Sequence, residues 1–532
     1  NHNSNQRLAY EWRCIMANEY GNYATLNPLY PSSNVTLSNG NLTATFAGSG
    51  HYHNPATMLI PTTGKWALKA TDINSAGRPS YQMIGVIEDN PASLTDAHDN
   101  ATSVYWTDQG VVYRAGSSLG VQAATYTQND VLEILYDRDA ATLKLYKGGV
   151  LSYTVTSVPT TANVFSAVAN EGGTAVWTLD FGQNGYTATD TDYLNLSTAN
   201  LPTPAILNPD DHYFSTVIDH DGSDTDGTCT FNLSTYEWLA IIKNTTGANE
   251  NWYWINSIRG VNKYTSSNTS ASEVTDANVF TVSGTTFTLG STLGDKNYLV
   301  EIHKAGLASA TASNEAGSIN TTETSFNQVS GFVISEFEGT AGNATIGNPL
   351  DEALDFLIHR PLDISGIANN AVAYHSSLTS GTRFLTMGEA GDGVTIVAAR
   401  ETGAPQQTDA TMWNSTAPTS SLISLGSNVR SNAGSSMMSY GWHKVSGYSD
   451  FGSYVHNASA DGPFVNTGSF FGSFLTRHIT DAGATQSSGW AIMDRNLGTG
   501  VEPGFNYNYS NMGWSIPGIA STAGSNGSLQ YE

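Results

Sequence analysis

Four aspartates stand close together in "DHDGSDTDG": Asp219, Asp221, Asp224 and Asp226. Carboxylates at near-alternate positions are the raw material of a calcium loop, where oxygen ligands at positions 1, 3 and 5 precede a glycine at 6 and a glutamate at 12. Counted from Asp219, position 6 is Asp224 and position 12 is Thr230, so the register does not fit. The competing reading is a solvated acidic hairpin turn. "GSSLG" (116–120) has the Gly-x-Ser-x-Gly form of a hydrolase nucleophile, centred on Ser118. Such a serine needs a strand before it and a helix after it. Here "VVYR" precedes and a further β-like region follows, which favours a loop. His51 and His53 form a close pair in "GHYHNP" without the further ligands that a zinc ion takes. His303-Lys304 and His443-Lys444 read as charged strand ends in two repeated units, not as catalysts. Glycan cleavage takes two carboxyl groups held across a sugar, and nothing in the spacing of the acids pairs them. The sequence therefore predicts no catalytic residue, no cofactor and no metal beyond the four calcium candidates.

The elements that carry these residues follow from composition and periodicity. A chain of 532 residues should hold several domains. Its net charge of −25 excludes the basic surface that nucleic acid or anionic lipid requires. No run approaches the roughly 18 apolar residues of a membrane span. Charged residues are only 13%, with Asn, Ser, Thr and Gly in their place, the balance of strand-and-turn proteins. Cys14 and Cys229 are too few for a disulfide framework and read as free thiols. The sequons at Asn34, Asn232, Asn244, Asn414 and Asn457 are what such a composition produces by chance. The opening "NHNSNQRLAYEW" lacks an initiator Met, as expected of a fragment or a processed product. Leu8, Trp12, Ile15 and Met16, with Tyr10 off their face, have the spacing of a short helix; a trimer-forming coil is the sharper alternative.

From residue 31 to about 187, strand follows strand. "NVTLSNGNLTATF" is a hairpin turning at Ser38-Asn39-Gly40. In "NDVLEILYDRDAATLKLYKGGVLSYTV", Leu132, Ile134 and Tyr136 alternate, then Leu143 and Leu145, then Leu151, Tyr153 and Val155. Asp137-Arg138-Asp139 and Gly148-Gly149 supply the turns of this three-strand meander. Regular strands separated by Gly, Asn and Asp imply an antiparallel β-sandwich.

The order of motifs resembles a SPRY domain. Gly64-Lys65-Trp66, Ile84-Gly85-Val86, the run from Asp130 to Gly149 and the closing Asp180-Phe181-Gly182-Gln183 match its motifs in sequence. Ala67, Asn129 and Gly148 depart from the usual residues. The resemblance covers about 155 residues. It implies a lectin-like (concanavalin-like jelly-roll) sandwich that binds partners through its loops and is not an enzyme.

After the Pro-rich "TANLPTPAILNPDD" the chain repeats itself. Strands anchored at Tyr213, Phe332 and Phe451 recur every 119 residues. "YEWLAIIK", "LDFLIHR" and "FGSFLTR" follow them, and then "NWYWINSIRG", "NAVAYHSSL" and "GWAIMDRN". "NYLVEIHKAG" and "MSYGWHKVSG" close the first two units, the second some twenty residues late. The expected architecture is all-β, in tandem antiparallel β-sandwiches. It comprises an N-terminal connector (1–30), a SPRY-like sandwich (31–187), a linker (188–208), sandwich repeats at 209–327 and 328–446, and a partial third repeat at 447–532. The repeats resemble modules that follow SPRY domains in structural proteins of bacteriophages, marine ones especially. That resemblance rests on "ATMWNSTAPTSSLISLGS", "KVSGYSDFGSYVHNASADGPFV", "GWAIMDRN" and "INSIRGVNKYTSSNTSASE" and covers about 320 residues. It implies an extracellular, exposed component of the virion, a tail fibre or other appendage that attaches to a host-surface glycan or protein. Other virion proteins would be its partners, with homotrimerisation expected by analogy and neither nucleic-acid binding nor membrane insertion. A decoration or spacer without receptor binding, a glycan-degrading tailspike and a secreted adhesion protein are the alternatives.

Overall fold

The computed structural model describes residues 22–28, 30, 34–47, 52–73, 82–89, 97–169, 175–246, 251–267, 269, 271–364, 371–378, 381–387, 407–454, 473–477, 490–494 and 496. The expected N-terminal helix, Cys14 and His51 lie outside them. The described chain is all-β, and it divides into two compact units that part between Thr203 and Pro204.

In the first unit the chain runs through β1 (Val35–Ser38), β2 (Thr43–Phe46), β3 (Tyr52–Pro55), β4 (Lys65–Asp72) and β5 (Met83–Ile87). It continues with β6 (Val104–Thr107), β7 (Val111–Arg114) and β8 (Ser117–Val121). The expected meander is β9 (Val131–Asp137), β10 (Thr142–Lys147) and β11 (Val150–Thr156). Then come β12 (Val164–Ala169), β13 (Ala175–Asp180) and β14 (Leu194–Asn195). One sheet has the order β1-β2-β13-β4-β9-β10-β11 with β14 beside β4, and the other β3-β12-β5-β6-β7-β8. Trp66, Leu68, Ile134, Tyr136, Leu143 and Leu145 from the first sheet meet Ile84, Val86, Trp106 and Phe165 from the second in one core. This is the sandwich that the alternation predicts. On the edge strand β11 the pattern loosens, with Val155 buried but Leu151 exposed.

Both ends of this sandwich extend past the expected boundaries. Ala24 and Leu26 are buried in the core, Tyr23 bridges to Ser197 and Leu26 to Ala56, so the segment before residue 31 is part of the domain. The expected linker at 188–208 also begins as structure. Its β14 pairs parallel with β4, and Tyr186, Ala188 and Tyr193 cover Ala67 and Leu135 on the sheet's outer face. Apolar residues on that face need a cover, and the segment supplies it.

The second unit opens with β15 (Tyr213–His220), β16 (Thr225–Thr228), β17 (Tyr236–Asn244), β18 (Tyr253–Asn256) and β19 (Lys263–Tyr264). The first repeat is completed by β20 (Val274–Thr275), β21 (Phe280–Ser283), β22 (Thr286–Leu289) and β23 (Lys296–Leu307). The second contains β24 (Thr321–Asn327), β25 (Phe332–Glu338), β26 (Ala344–Gly347), β27 (Phe356–Pro361) and β28 (Val372–His375). Next are β29 (Arg383–Thr386), β30 (Gln407–Thr408), β31 (Leu422–Leu425) and β32 (Ser436–Trp442). A final hairpin pairs β33 (Ser473–Arg477) with β34 (Trp490–Asp494).

The repeats share a topology. The first has the order β15-β23-β17-β18, and the second carries β25-β32-β27-β28 at the centre of a seven-stranded sheet. Tyr213 stands opposite His303, and Phe332 opposite Trp442. Leu239 faces Asn256, and Phe356 faces His375. The repeat boundary differs from the expected 327/328, because β24 pairs with β25 and belongs to the second repeat. The acidic stretch 221–224 is not a hairpin turn either: β15 and β16 lie in different sheets, so it crosses between layers. Phe451 to Tyr454, where the sequence predicts the opening of a strand, are irregular backbone, and the segment 455–472 lies outside the described residues.

The repeats are not independent sandwiches. In β17, Trp238, Ala240 and Ile242 face the small sheet β16-β22-β21, while Leu239 and Ile241 face the second repeat. Phe332, Ile334, Phe356, Ile358, Met438 and Tyr440 meet them from the other side. Beyond that sheet, Val333, Phe337, Leu357 and Met437 pack on Ile346, Ile423 and Leu425 of the β26-β31 pair. Four layers result, with three cores between them. A strand apolar on both faces has to be covered on both, which is why the two central sheets stack.

Candidate functional site

Asp219, Asp221, Asp224 and Asp226 are all exposed. Asp221 accepts the N–H and hydroxyl of its neighbour Ser223 at 2.9 and 2.5 Å, bonds that hold its carboxyl below the usual range. Asp226 accepts the Thr288 hydroxyl at 2.6 Å across the β16-β22 pair. Among the described residues no three His, Cys, Asp or Glu side chains converge as a metal site would require. Ser118 lies in β8, not in a loop, and its Oγ accepts the N–H of Gly120 at 3.1 Å; the elbow's helix is missing there. His53 is buried against Tyr30 Oη at 2.6 Å, and burial pulls its pKa down to about 4.

The likeness of His303-Lys304 to His443-Lys444 is offset by one residue in space. Trp442, not His443, takes the place of His303, since each pairs with the first residue of its repeat. His303 packs its ring on Tyr213, Phe332 and Trp442, and burial lowers its pKa to about 4. It is a half-buried, aromatic-sized packing residue at the rim of the shared core.

What the sequence spacing does not reveal is a pair of acids. Glu301, midway along β23, points to the face of the sheet opposite Val300 and Ile302, where Asp494 at the end of β34 meets it. Both are buried. The Tyr213 hydroxyl lies 2.8 Å from Glu301 Oε1 and 3.0 Å from Asp494 Oδ2. It has one proton to give, so one carboxyl must supply its own. Asp494 Oδ1 accepts the N–H of Asn496 at 2.7 Å and its Nδ2 at 3.0 Å, which suits a carboxylate. Asn496 Nδ2 also donates to the Ser215 hydroxyl at 2.7 Å. Burial and the charge of Asp494 push Glu301 up to about 8, so Glu301 is the protonated partner at neutral pH. The cluster ties the last hairpin to β15 and β23. It holds a proton, and both of its carboxyl groups are buried.

A second polar cluster joins the two repeats. Arg259 is paired with Glu273 at 2.8 Å and Glu336 at 2.6 Å, and Lys263 with Glu273 at 3.5 Å. Asn256 Nδ2 donates to Tyr440 Oη at 3.0 Å, and the Glu273 N–H to the Leu362 carbonyl at 2.9 Å.

No curated protein matches this chain. Similar solved structures include the SPRY domain of human HERC1, 14% identical over 29% of this chain and 96% of that one, with a TM-score of 0.26. The PSpry domain of TRIM65 is 13% identical over 30% of this chain and 93% of that one, with a TM-score of 0.25. Stonustoxin is 16% identical over 30% of this chain and 27% of that one, also at 0.25. The model of a domain of unknown function, DUF7483, matches residues 208–500, more than half of the molecule, and the chain belongs to that family.

Proposed function

We propose that this chain is a non-enzymatic structural protein of a bacteriophage virion, part of a tail fibre or other exposed appendage that attaches to a host-surface glycan or protein. The motif order of the first domain and the wording of the repeats support the virion setting. One observation carries the non-enzymatic reading: the paired carboxyl groups Glu301 and Asp494 are buried, are held on one tyrosine hydroxyl and serve to fasten a hairpin, with no sugar-wide gap between them. The surface keeps few charges and many hydroxyl and amide groups, which suit wet, polar recognition of sugars. Other virion proteins and further copies of the chain are its proposed partners.

The stacking of the repeats through a common core favours a second reading, a rigid spacer or decoration that binds no receptor. Glycan arrays and intact host cells distinguish the two. Saturable binding supports attachment; no binding to either, with the chain located in the particle by electron microscopy, supports the spacer. Release of reducing ends from host polysaccharide overturns both.

A further inference from the structure

In the first unit, Lys69 stands between two carboxyl side chains on the outer face of the β1–β11 sheet. It pairs with Asp180 of β13 on one side and with Glu133 of β9 on the other, and directly opposed residues share a face. The two acids are held differently. Both oxygens of Glu133 are taken, by the N–H and hydroxyl of Thr189 at 2.8 and 2.6 Å and by the Tyr186 hydroxyl at 3.2 Å. Asp180 is bound on one oxygen only. Its Oδ1 accepts the N–H groups of Gly182 at 2.9 Å and Asn184 at 3.4 Å. Its Oδ2 is buried and takes no hydrogen bond from the described residues, although Lys69 Nζ lies 3.0 Å away.

That asymmetry is the arrangement of an acyl centre more than of a plain ion pair. Two backbone N–H groups on one oxygen are the donors that stabilise a tetrahedral oxyanion. Gly182 helps to aim them through a φ of +120°, which residues with a side chain rarely adopt. The amine stands beside the other oxygen, and the Tyr186 ring covers it with its centroid 5.4 Å from Nζ. The Asp180 side chain is nearly enclosed while that of Lys69 is partly exposed, which leaves a released water a way out.

We propose that Lys69 and Asp180 form an intramolecular isopeptide bond that joins β4 to β13 covalently. The ammonium passes one proton to Oδ2, and the freed lone pair of Nζ attacks Cγ. The oxyanion that develops on Oδ1 is met by the Gly182 and Asn184 N–H groups. As the carbonyl re-forms, the Cγ–Oδ2 bond breaks, and a second nitrogen proton leaves with the hydroxyl as water. The third proton stays on the amide nitrogen. One positive and one negative charge disappear, and neither oxidant nor cofactor is consumed. Holding the two groups in contact supplies the effective concentration that amide formation in water otherwise lacks. The bond closes the chain from Lys69 to Asp180 into a ring, which restricts the unfolded state as a disulfide does.

Mass spectrometry of the whole chain, purified folded and then denatured, reads the bond directly. The expected mass is one water below that of the sequence, and digestion should yield a branched peptide carrying both Lys69 and Asp180. In Lys69→Met and in Asp180→Ala the full mass returns. A full-mass parent chain with Lys69 and Asp180 in separate linear peptides overturns the proposal. So does a water loss that persists in Lys69→Met, since an aspartate closed on its own backbone gives the same mass. Should the variants fail to fold, the branched peptide of the unaltered chain decides alone: its presence supports the bond, and its absence refutes it.

Discussion

Tyr213 shows how much a single proton can decide. Its hydroxyl lies between Glu301 and Asp494, and three oxygen-bearing groups stay together only while one carboxyl is protonated. Tyr213→Phe removes a donor from a buried cluster and is expected to cost about 1–3 kcal/mol, the penalty for leaving such groups unsatisfied. Urea unfolding measures it. Glu301→Gln keeps a donor toward Asp494 but has nothing to ionise, so at pH 8 and above this variant should be more stable than the parent. At pH 5 the two should lie within about 1 kcal/mol, the net worth of one hydrogen bond. Cys229 makes the opposite case, a reactive type made inert by its place. It is buried, and burial pushes its thiol up to about 11. Relative to a free thiol, its thiolate fraction at pH 8 falls by about two orders of magnitude. In a Cys14→Ser background, labelling by a chromogenic disulfide should be slow by about that factor in the folded chain and fast in urea.

At the scale of the element, one glycine sets how closely two strands approach. Gly85 lies in the fully buried β5, where an added Cβ would sit 1.9 Å from the Val104 carbonyl oxygen of β6. The obstacle is backbone in a paired strand and cannot rotate away. Gly85→Ala should therefore cost at least the 1–3 kcal/mol typical of overpacking, seen as a lower urea midpoint of the first unit. The strands themselves were legible because alternation is local. Leu132, Ile134 and Tyr136 announce β9 from five residues of sequence. The stacking of the repeats was legible too, had Trp238–Ile242 been read on both faces at once. An unbroken apolar run in a strand means two covered sides, and the expectation of self-contained sandwiches overlooked it. The acid pair left a fainter signal, a glutamate in the middle of the apolar "YLVEIHK". Its partner could not be read. Tyr213 and Asp494 are 281 residues apart, and nothing local encodes a register between β15 and a hairpin so distant. The offset of His303 against His443 has the same origin, since the matching letters align one residue away from the matching places.

Across the second unit as a whole, buried titratable groups of opposite sense set a stability optimum. His303 and His359 are each drawn from 6.5 to about 4 by burial. Between those values the unfolded chain binds protons that the folded one does not, so their contribution is complete above pH 6.5 and is lost as pH falls toward 4. Glu301 is raised from 4.5 to about 8. Over that interval the folded chain holds a proton that the unfolded one has released. Its contribution is therefore complete below pH 4.5 and is lost as pH rises through 8. Where the windows overlap, two histidines outweigh one carboxyl and stability climbs with pH. Above 6.5 these two histidines are silent, Glu301 gives up its proton, and its contribution to stability declines. A full proton of difference is worth about 1.4 kcal/mol per pH unit, so the urea midpoint of the second unit should peak near pH 6.5 and fall on both sides. Glu301→Gln should abolish the alkaline decline and leave the acid limb intact. An optimum that stays at pH 6.5 in this variant would show that the declining limb arises elsewhere, and that the proton shared with Asp494 is not what joins the last hairpin to the first repeat.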